Sequence, residues 1–213
     1  MSTRTDGAYP ARLTIDFPDR GLNRMATFLR LIYVIPIAIV LSVVGASAFG
    51  SSSGESGAEF GALASGALVV PVLLMVLFRQ KYPRWWFDFN LQLTRFSTRV
   101  MSYVALMSDR YPSTDEEQSV HLDLDYPQVK QDLNRWLPLV KWLLAIPHYV
   151  VLFFLGIAAV VAVIFSWFAI LFTGRYPRSI FAFVEGVLRW GLRVDAYAFL
   201  LVTDRYPPFR LAA

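Results

Sequence analysis

The sequence predicts an all-α membrane protein built of two parallel repeats, each a short strand, a transmembrane helical hairpin and an interfacial amphipathic helix, with four spans in total. Three observations predict it. Residues 175 to 207, RYPRSIFAFVEGVLRWGLRVDAYAFLLVTDRYP, nearly restate residues 81 to 112, KYPRWWFDFNLQLTRFSTRVMSYVALMSDRYP. Hydrophobic residues make up 56% of the chain and charged ones 17%, against roughly 25% charged in soluble domains. The apolar surplus is also concentrated: no Lys or Arg lies between Leu31 and Phe78, and no charged residue lies between Trp142 and Thr173.

The first repeat is expected over 9–112. Its strand is Arg12-Leu13-Thr14-Ile15-Asp16-Phe17, where apolar side chains alternate with polar ones until Pro18 stops the ladder. Residues 25–49 are long enough to cross a hydrocarbon core of about 30 Å. A signal peptide ending near Ala46-Ser47-Ala48 is the rival reading, opposed by the four Arg and three Asp that precede the run. Residues 50–61 form a Gly/Ser linker whose only charges are Glu55 and Glu59, and a second span over 62–78 returns the chain to Arg79 and Lys81. An amphipathic helix follows over about 84–107.

An acidic linker, 113–119, leads to the second repeat, 120–211. Leu122 to Pro127 restates the Leu-x-x-Asp-aromatic-Pro pattern of residues 13–18, and two such strands are expected to pair, since a lone strand cannot satisfy its backbone. Leu133-Asn134-Arg135 echoes Leu22-Asn23-Arg24, and Ile146-Pro147 echoes Ile35-Pro36. From Leu137 to Gly174 a single helix would run ~57 Å, so two spans are expected, about 137–155 and 157–173, meeting near Gly156. The second amphipathic helix is expected over about 178–202. Even numbers of crossings return the chain to one side, which the Lys/Arg bias makes cytoplasmic: a multi-pass plasma-membrane protein with cytoplasmic termini. The rival with 85–107 and 179–202 also crossing, six spans in all, would bury four arginines at about 2.5–3.5 kcal/mol each.

The pattern YPARLTIDFPDRGLNR, an apolar hairpin and then LFTGRYPRSIFAFVEGVLRWGLRVDAYAFLLVTDRYPPF resembles an actinobacterial membrane-protein family known as a domain of unknown function, the DUF4389 type. The likeness extends over nearly the whole chain and is closer in the second copy. It implies the architecture; it carries no activity, cofactor or ligand.

The residues themselves offer no catalytic motif, no phosphate loop and no nucleophile beside a base. With no Cys in the chain, disulfides and thiolate metal sites are excluded. His121, Asp123 and Asp125 share one strand face and are read as solvated rather than as metal ligands. No cofactor or metal is expected, and the chain is read as a non-enzyme. The candidate contacts with lipid headgroups or a partner are Arg95 and Arg99 with Arg189 and Arg193, spaced four apart on one helix face, together with Arg84 and Arg178 at the helix starts. Part of the stripe is expected to pair internally, because Glu185 precedes Arg189 by four. His148 is the intramembrane polar candidate. The partners expected are membrane lipids, anionic ones above all, and a membrane-protein partner or second copy; the positive-inside rule accounts for a pI near 9.5 without nucleic acid. The function read from these features is a lipid- or partner-organising protein acting through a basic cytoplasmic face, the alternative being a small transporter or channel subunit with its path between the hairpins.

Overall fold

The computed structural model describes residues 9–18, 21–22, 24–44, 69–113 and 118–212. The linker expected over 50–61, the Ala46-Ser47-Ala48 site, the start of the 62–78 span and the acids of the 113–119 linker lie outside them. Among the described residues the order is β1 (Ala11–Ile15), α1 (Arg24–Val44), α2 (Val69–Arg79), α3 (Arg84–Val104), β2 (Val120–Leu124), α4 (Val129–Asp132), α5 (Pro138–Leu144), α6 (Ile146–Thr173) and α7 (Arg178–Ala198).

The alternation in the two short runs folds as it reads. β1 and β2 pair antiparallel, Leu13 opposite Leu122 and Ile15 opposite Val120. Their apolar residues are buried and their polar ones face outward, so one face of the ribbon closes a core with Tyr82, Phe87, Phe181, Val184 and Leu201. Pro83 and Pro177 are the N-caps of α3 and α7, in extended backbone, as the residue that fixes φ and gives up no needed N–H. Each of these helices ends short of a leucine in the left-handed region, Leu106 (φ 65°) and Leu201 (φ 54°). Both leucines are buried, 4% and 0% exposed, so apolar burial offsets the roughly 1–2 kcal/mol that a side chain pays there.

Helices and strands are engaged crosswise. β1 packs on α7 and β2 on α3. Tyr82, just before α3, donates its hydroxyl to the Leu200 carbonyl after α7 (3.1 Å), and Tyr176, just before α7, donates to the Ala105 carbonyl after α3 (3.2 Å). The aromatic after each strand meets the helix of the other half: Phe17 on Phe181 (5.0 Å) and Tyr126 on Phe87 (5.1 Å), both edge to face.

The four-span architecture is corrected by this structure. Among the described residues one helix, α6, is long and apolar enough to cross a membrane, and the chain adds a two-stranded sheet to its helices. The expected spans 137–155 and 157–173 are replaced by the seven-residue α5 and a continuous 28-residue α6. The physical reason lies at Gly156. One glycine in a helix costs about 1 kcal/mol, too little to break an apolar run that brings no polar turn residues with it, and a Cβ there would meet nothing within 4 Å. The break falls instead at Ala145, where Pro147 starts the next helix. In the first half the described part of α2 is 11 residues long and finishes in a π turn. α1 is 21 residues, but Arg30 within it is 2% exposed and turned into the protein.

α6 nevertheless presents a bare apolar surface. Only His148, Ser166 and Ile170 are buried along its length, whereas Phe153, Phe154, Val160, Phe165 and Phe172 are each more than half exposed. Such a continuous patch is untenable in water and matches a lipid environment. At the coarse level this makes the chain a membrane protein.

Candidate functional site

The basic stripes of α3 and α7 form as helical spacing requires, and the structure turns them inward. Arg95 donates its Nε–H to the Leu122 carbonyl (2.8 Å) and pairs with Asp123 (2.9 Å). Arg189 does the same for the other strand, donating to the Leu13 carbonyl (2.9 Å), to Leu211 O (3.2 Å) and to Glu185 (2.5 Å). The expected Glu185–Arg189 pair is therefore present, and Glu185 also accepts the Ile15 N–H (3.2 Å). Arg99, 8% exposed, donates to Ser113 O (2.8 Å). Arg193, 3% exposed, donates to Arg210 O (3.3 Å) and Ala212 O (2.9 Å). Desolvation, then the neighbouring Arg210 and Arg189, lower its pKa. These guanidinium groups clamp the sheet, the turn at Ser113 and the C-terminal segment, the carbonyls of which need donors. Arg84 and Arg178 stay exposed and lie over the rings of Tyr126 (5.0 Å) and Phe17 (5.1 Å).

Two clusters that sequence reading passed over stand behind the stripes. Arg30 on α1 pairs with Asp109, donates to Tyr103 O (2.9 Å) and lies 4.5 Å over the Tyr103 ring. Lys141 on α5, with no exposed surface, pairs with Asp204 (2.7 Å), donates to Thr203 O (2.7 Å) and lies 5.2 Å over the Tyr197 ring. Burial is the first cause lowering the pKa of both cations, and the Asp partner opposes it. The two Asp residues open the two Asp-Arg-Tyr-Pro stretches, and their purpose is this neutralisation. The signal was available: Arg30 and Lys141 hold matching places 111 residues apart, each a lone basic group at the start of an apolar run.

His148 does not reach the Arg stripes. It sits at the first turn of α6 with no exposed surface, accepts the Trp190 Nε1–H at Nδ1 (3.1 Å), and is enclosed by Trp190, Tyr206 and Phe209. Asp195, one turn beyond Gly191 on α7, is pushed up to about 7 by burial. His121 bonds Asp16 (3.0 Å) across the sheet, and among the described residues no group of three metal-ligating side chains gathers.

A third arrangement is basic and open. At the C-terminal end of α6, Gly174 takes φ 73° and returns its N–H to Ile170 O (2.7 Å), while its carbonyl accepts the Leu22 N–H (3.0 Å). This brings the start of α1 alongside, so a Cβ on Gly174 would lie 3.6 Å from Arg24 Nε. Arg24, Arg175 and Arg178 thus gather, all exposed, where the apolar helix ends and where its carbonyl dipoles favour positive charge.

The family model of a domain of unknown function, DUF4389, matches residues 136–210, so this part of the chain is of the DUF4389 type. No curated protein and no solved structure matches the chain.

Proposed function

For a chain whose residues 136–210 are of the DUF4389 type, we propose a non-enzymatic membrane protein that organises anionic lipid through the basic cluster Arg24, Arg175 and Arg178. The observation that supports this reading is the contrast between two sets of arginines. Those on the stripes are spent on backbone carbonyls, while Arg24, Arg175 and Arg178 are exposed near the end of α6, among the described residues the one helix long and apolar enough to cross a membrane. A cation there would meet the phosphate level of a bilayer that α6 enters.

Each basic residue near an anionic surface contributes about 1 kcal/mol, so changing Arg24, Arg175 and Arg178 together to Gln should weaken retention of phosphatidylglycerol by about two orders of magnitude at low salt. The difference should shrink at high salt. The control variant Arg95→Gln should lower thermal stability and leave lipid retention unchanged. Equal retention of phosphatidylglycerol by the triple variant and the parent at low salt would falsify the proposal. Loss of a co-purifying protein rather than of lipid would assign the cluster to a protein partner.

A further inference from the structure

Residues 199–212 follow α7 without regular structure and lie back across α5, α6 and α7 as a strap. Its points of attachment are polar along one edge: Lys141 on Thr203 O and Asp204, Arg193 on Arg210 O and Ala212 O, Arg189 on Leu211 O, and Tyr9 on Arg205 O (3.1 Å). At its centre the attachment is dry. Phe209 stacks on the His148 imidazole (centroids 4.0 Å, 18° between planes) and Tyr206 lies 4.8 Å from it. Tyr206 also donates its hydroxyl to Leu144 O (3.2 Å) at the end of α5. Trp190 completes the box from α7, 5.9 Å away and edge on.

The imidazole carries more chemistry than packing needs. Its Nδ1 accepts the Trp190 N–H, which fixes the ring proton on Nε2. That Nε2–H is buried and has no hydrogen-bond partner. In the first half of the chain the corresponding place, 111 residues earlier, is Ile37, which packs with Phe96 and Val100 in a wholly apolar cluster. A hydrocarbon therefore serves the same packing role without an orphaned donor.

We propose that His148 is a proton-binding site that latches the C-terminal strap while neutral and releases it once protonated. A proton from solvent adds to the Nδ1 lone pair, and the Trp190 N–H···Nδ1 bond is lost because both atoms are then donors. A unit positive charge appears in the box. Of the titratable groups on the elements packed here, Tyr206 on the strap touches the ring; Tyr149 on α6, Lys141 on α5, Arg193, Asp195 and Tyr197 on α7, and Asp204, Arg205 and Arg210 on the strap belong to the same elements and make no hydrogen bond to it among the described residues. None of the carboxylates is hydrogen-bonded to the imidazole among the described residues. Asp204 is committed to Lys141 (2.7 Å), so it is not available to neutralise the new charge. The faces of Phe209 and Tyr206 attract an imidazolium, yet they replace neither the lost bond nor the hydration that a charge requires. Moving the strap aside admits water, which hydrates the charge and gives both donors an acceptor.

The chain has no cysteine, so a single one can report on the strap. Leu211→Cys lies on the strap against Gly186, and Ser179→Cys, at an exposed position of α7, serves as reference for the pH dependence of thiol chemistry. In full-length protein in phosphatidylcholine nanodiscs, the maleimide labelling rate of the first divided by that of the second should rise as pH falls from 8 to 5, by at most about tenfold per pH unit for one proton. His148→Phe should flatten the profile, and His148→Asn, which keeps an acceptor for Trp190 but does not titrate, should flatten it where the Phe variant fails to fold. His121→Asn should leave the rise intact. A flat parent profile, or a rise that survives both His148 variants, overturns the proposal.

Discussion

Asp204→Asn and Asp109→Asn remove the same kind of charge from two similar clusters, and the structure predicts that pH will tell them apart. Lys141 has no exposed side-chain surface and Asp204 is 20% exposed, their charged atoms 2.7 Å apart. Removing the carboxylate leaves a buried ammonium with neutral acceptors and no counter-charge, a loss of about 3–5 kcal/mol for a broken buried pair. At about 2–4 °C per kcal/mol for a chain of this size, the melting temperature near pH 7 should fall by about 6–20 °C. Arg30, 2% exposed against Asp109, should suffer comparably in Asp109→Asn.

The two cations then diverge. Burial lowers the Lys141 pKa in the folded state, so above that value and below the unfolded value the unfolded chain binds more protons, and stability rises with pH in that window. Asp204 opposes the lowering; without it the window extends further toward neutral pH. Folded Asp204→Asn should regain about 1.4 kcal/mol per pH unit through the window, while Asp109→Asn should regain nothing, because a guanidinium keeps its proton. Thermal unfolding in one detergent from pH 6 to 10 checks this. Parallel pH profiles for the two variants would refute the assignment of Lys141 as a buried, deprotonatable cation, and a loss below about 1 kcal/mol in Asp204→Asn would refute its burial.

Two further outcomes follow from close contacts on α7. Gly186→Ala should destabilise by about 1–3 kcal/mol, because the new methyl would lie 2.9 Å from Leu211 Cβ and 3.2 Å from its carbonyl, pressing the strap outward; Gly191→Ala, with nothing within 4 Å, should stabilise by about 0.5–1 kcal/mol, and thermal melts of the pair compare them directly. Arg189→Gln should cost about 2–4 kcal/mol, since Glu185, Leu13 O and Leu211 O all lose their charged donor, and hydrogen exchange should show the β1 amides opening first.

The features legible in the sequence are those with short-range signatures. Pro18 and Pro127 bound alternating runs and announced β1 and β2; Pro83 and Pro177 announced α3 and α7, whose expected ranges 84–107 and 178–202 run a turn past the observed ends at Val104 and Ala198. The number of spans was not legible, because an apolar run holds no record of where it bends unless it carries turn residues, and Gly156 alone is too weak a mark. The arginine face was legible and its partner was not. Four-residue spacing says that Arg95 and Arg99, or Arg189 and Arg193, share a face; it cannot say whether phosphate or a strand carbonyl lies opposite. His148 was visible as an ionisable group in an apolar run, but its box draws on residues 42, 58 and 61 positions away, beyond any periodicity.

The crosswise engagement of the two halves bears on what the matched segment can be. Residues 136–210 include α6, α7 and most of the strap, yet the groups that complete them lie outside. Arg189 needs the Leu13 carbonyl, Glu185 the Ile15 amide and Tyr176 the Ala105 carbonyl. Each is a buried or half-buried polar group that would otherwise stand unsatisfied, at about 1–3 kcal/mol apiece. Against a net stability of about 5–15 kcal/mol for a domain, several such losses exceed what the segment has to spare. The folding unit is therefore wider than the matched residues: β1 and α3, on the first half, are structural parts of the same body that carries the open arginine cluster and the latched strap.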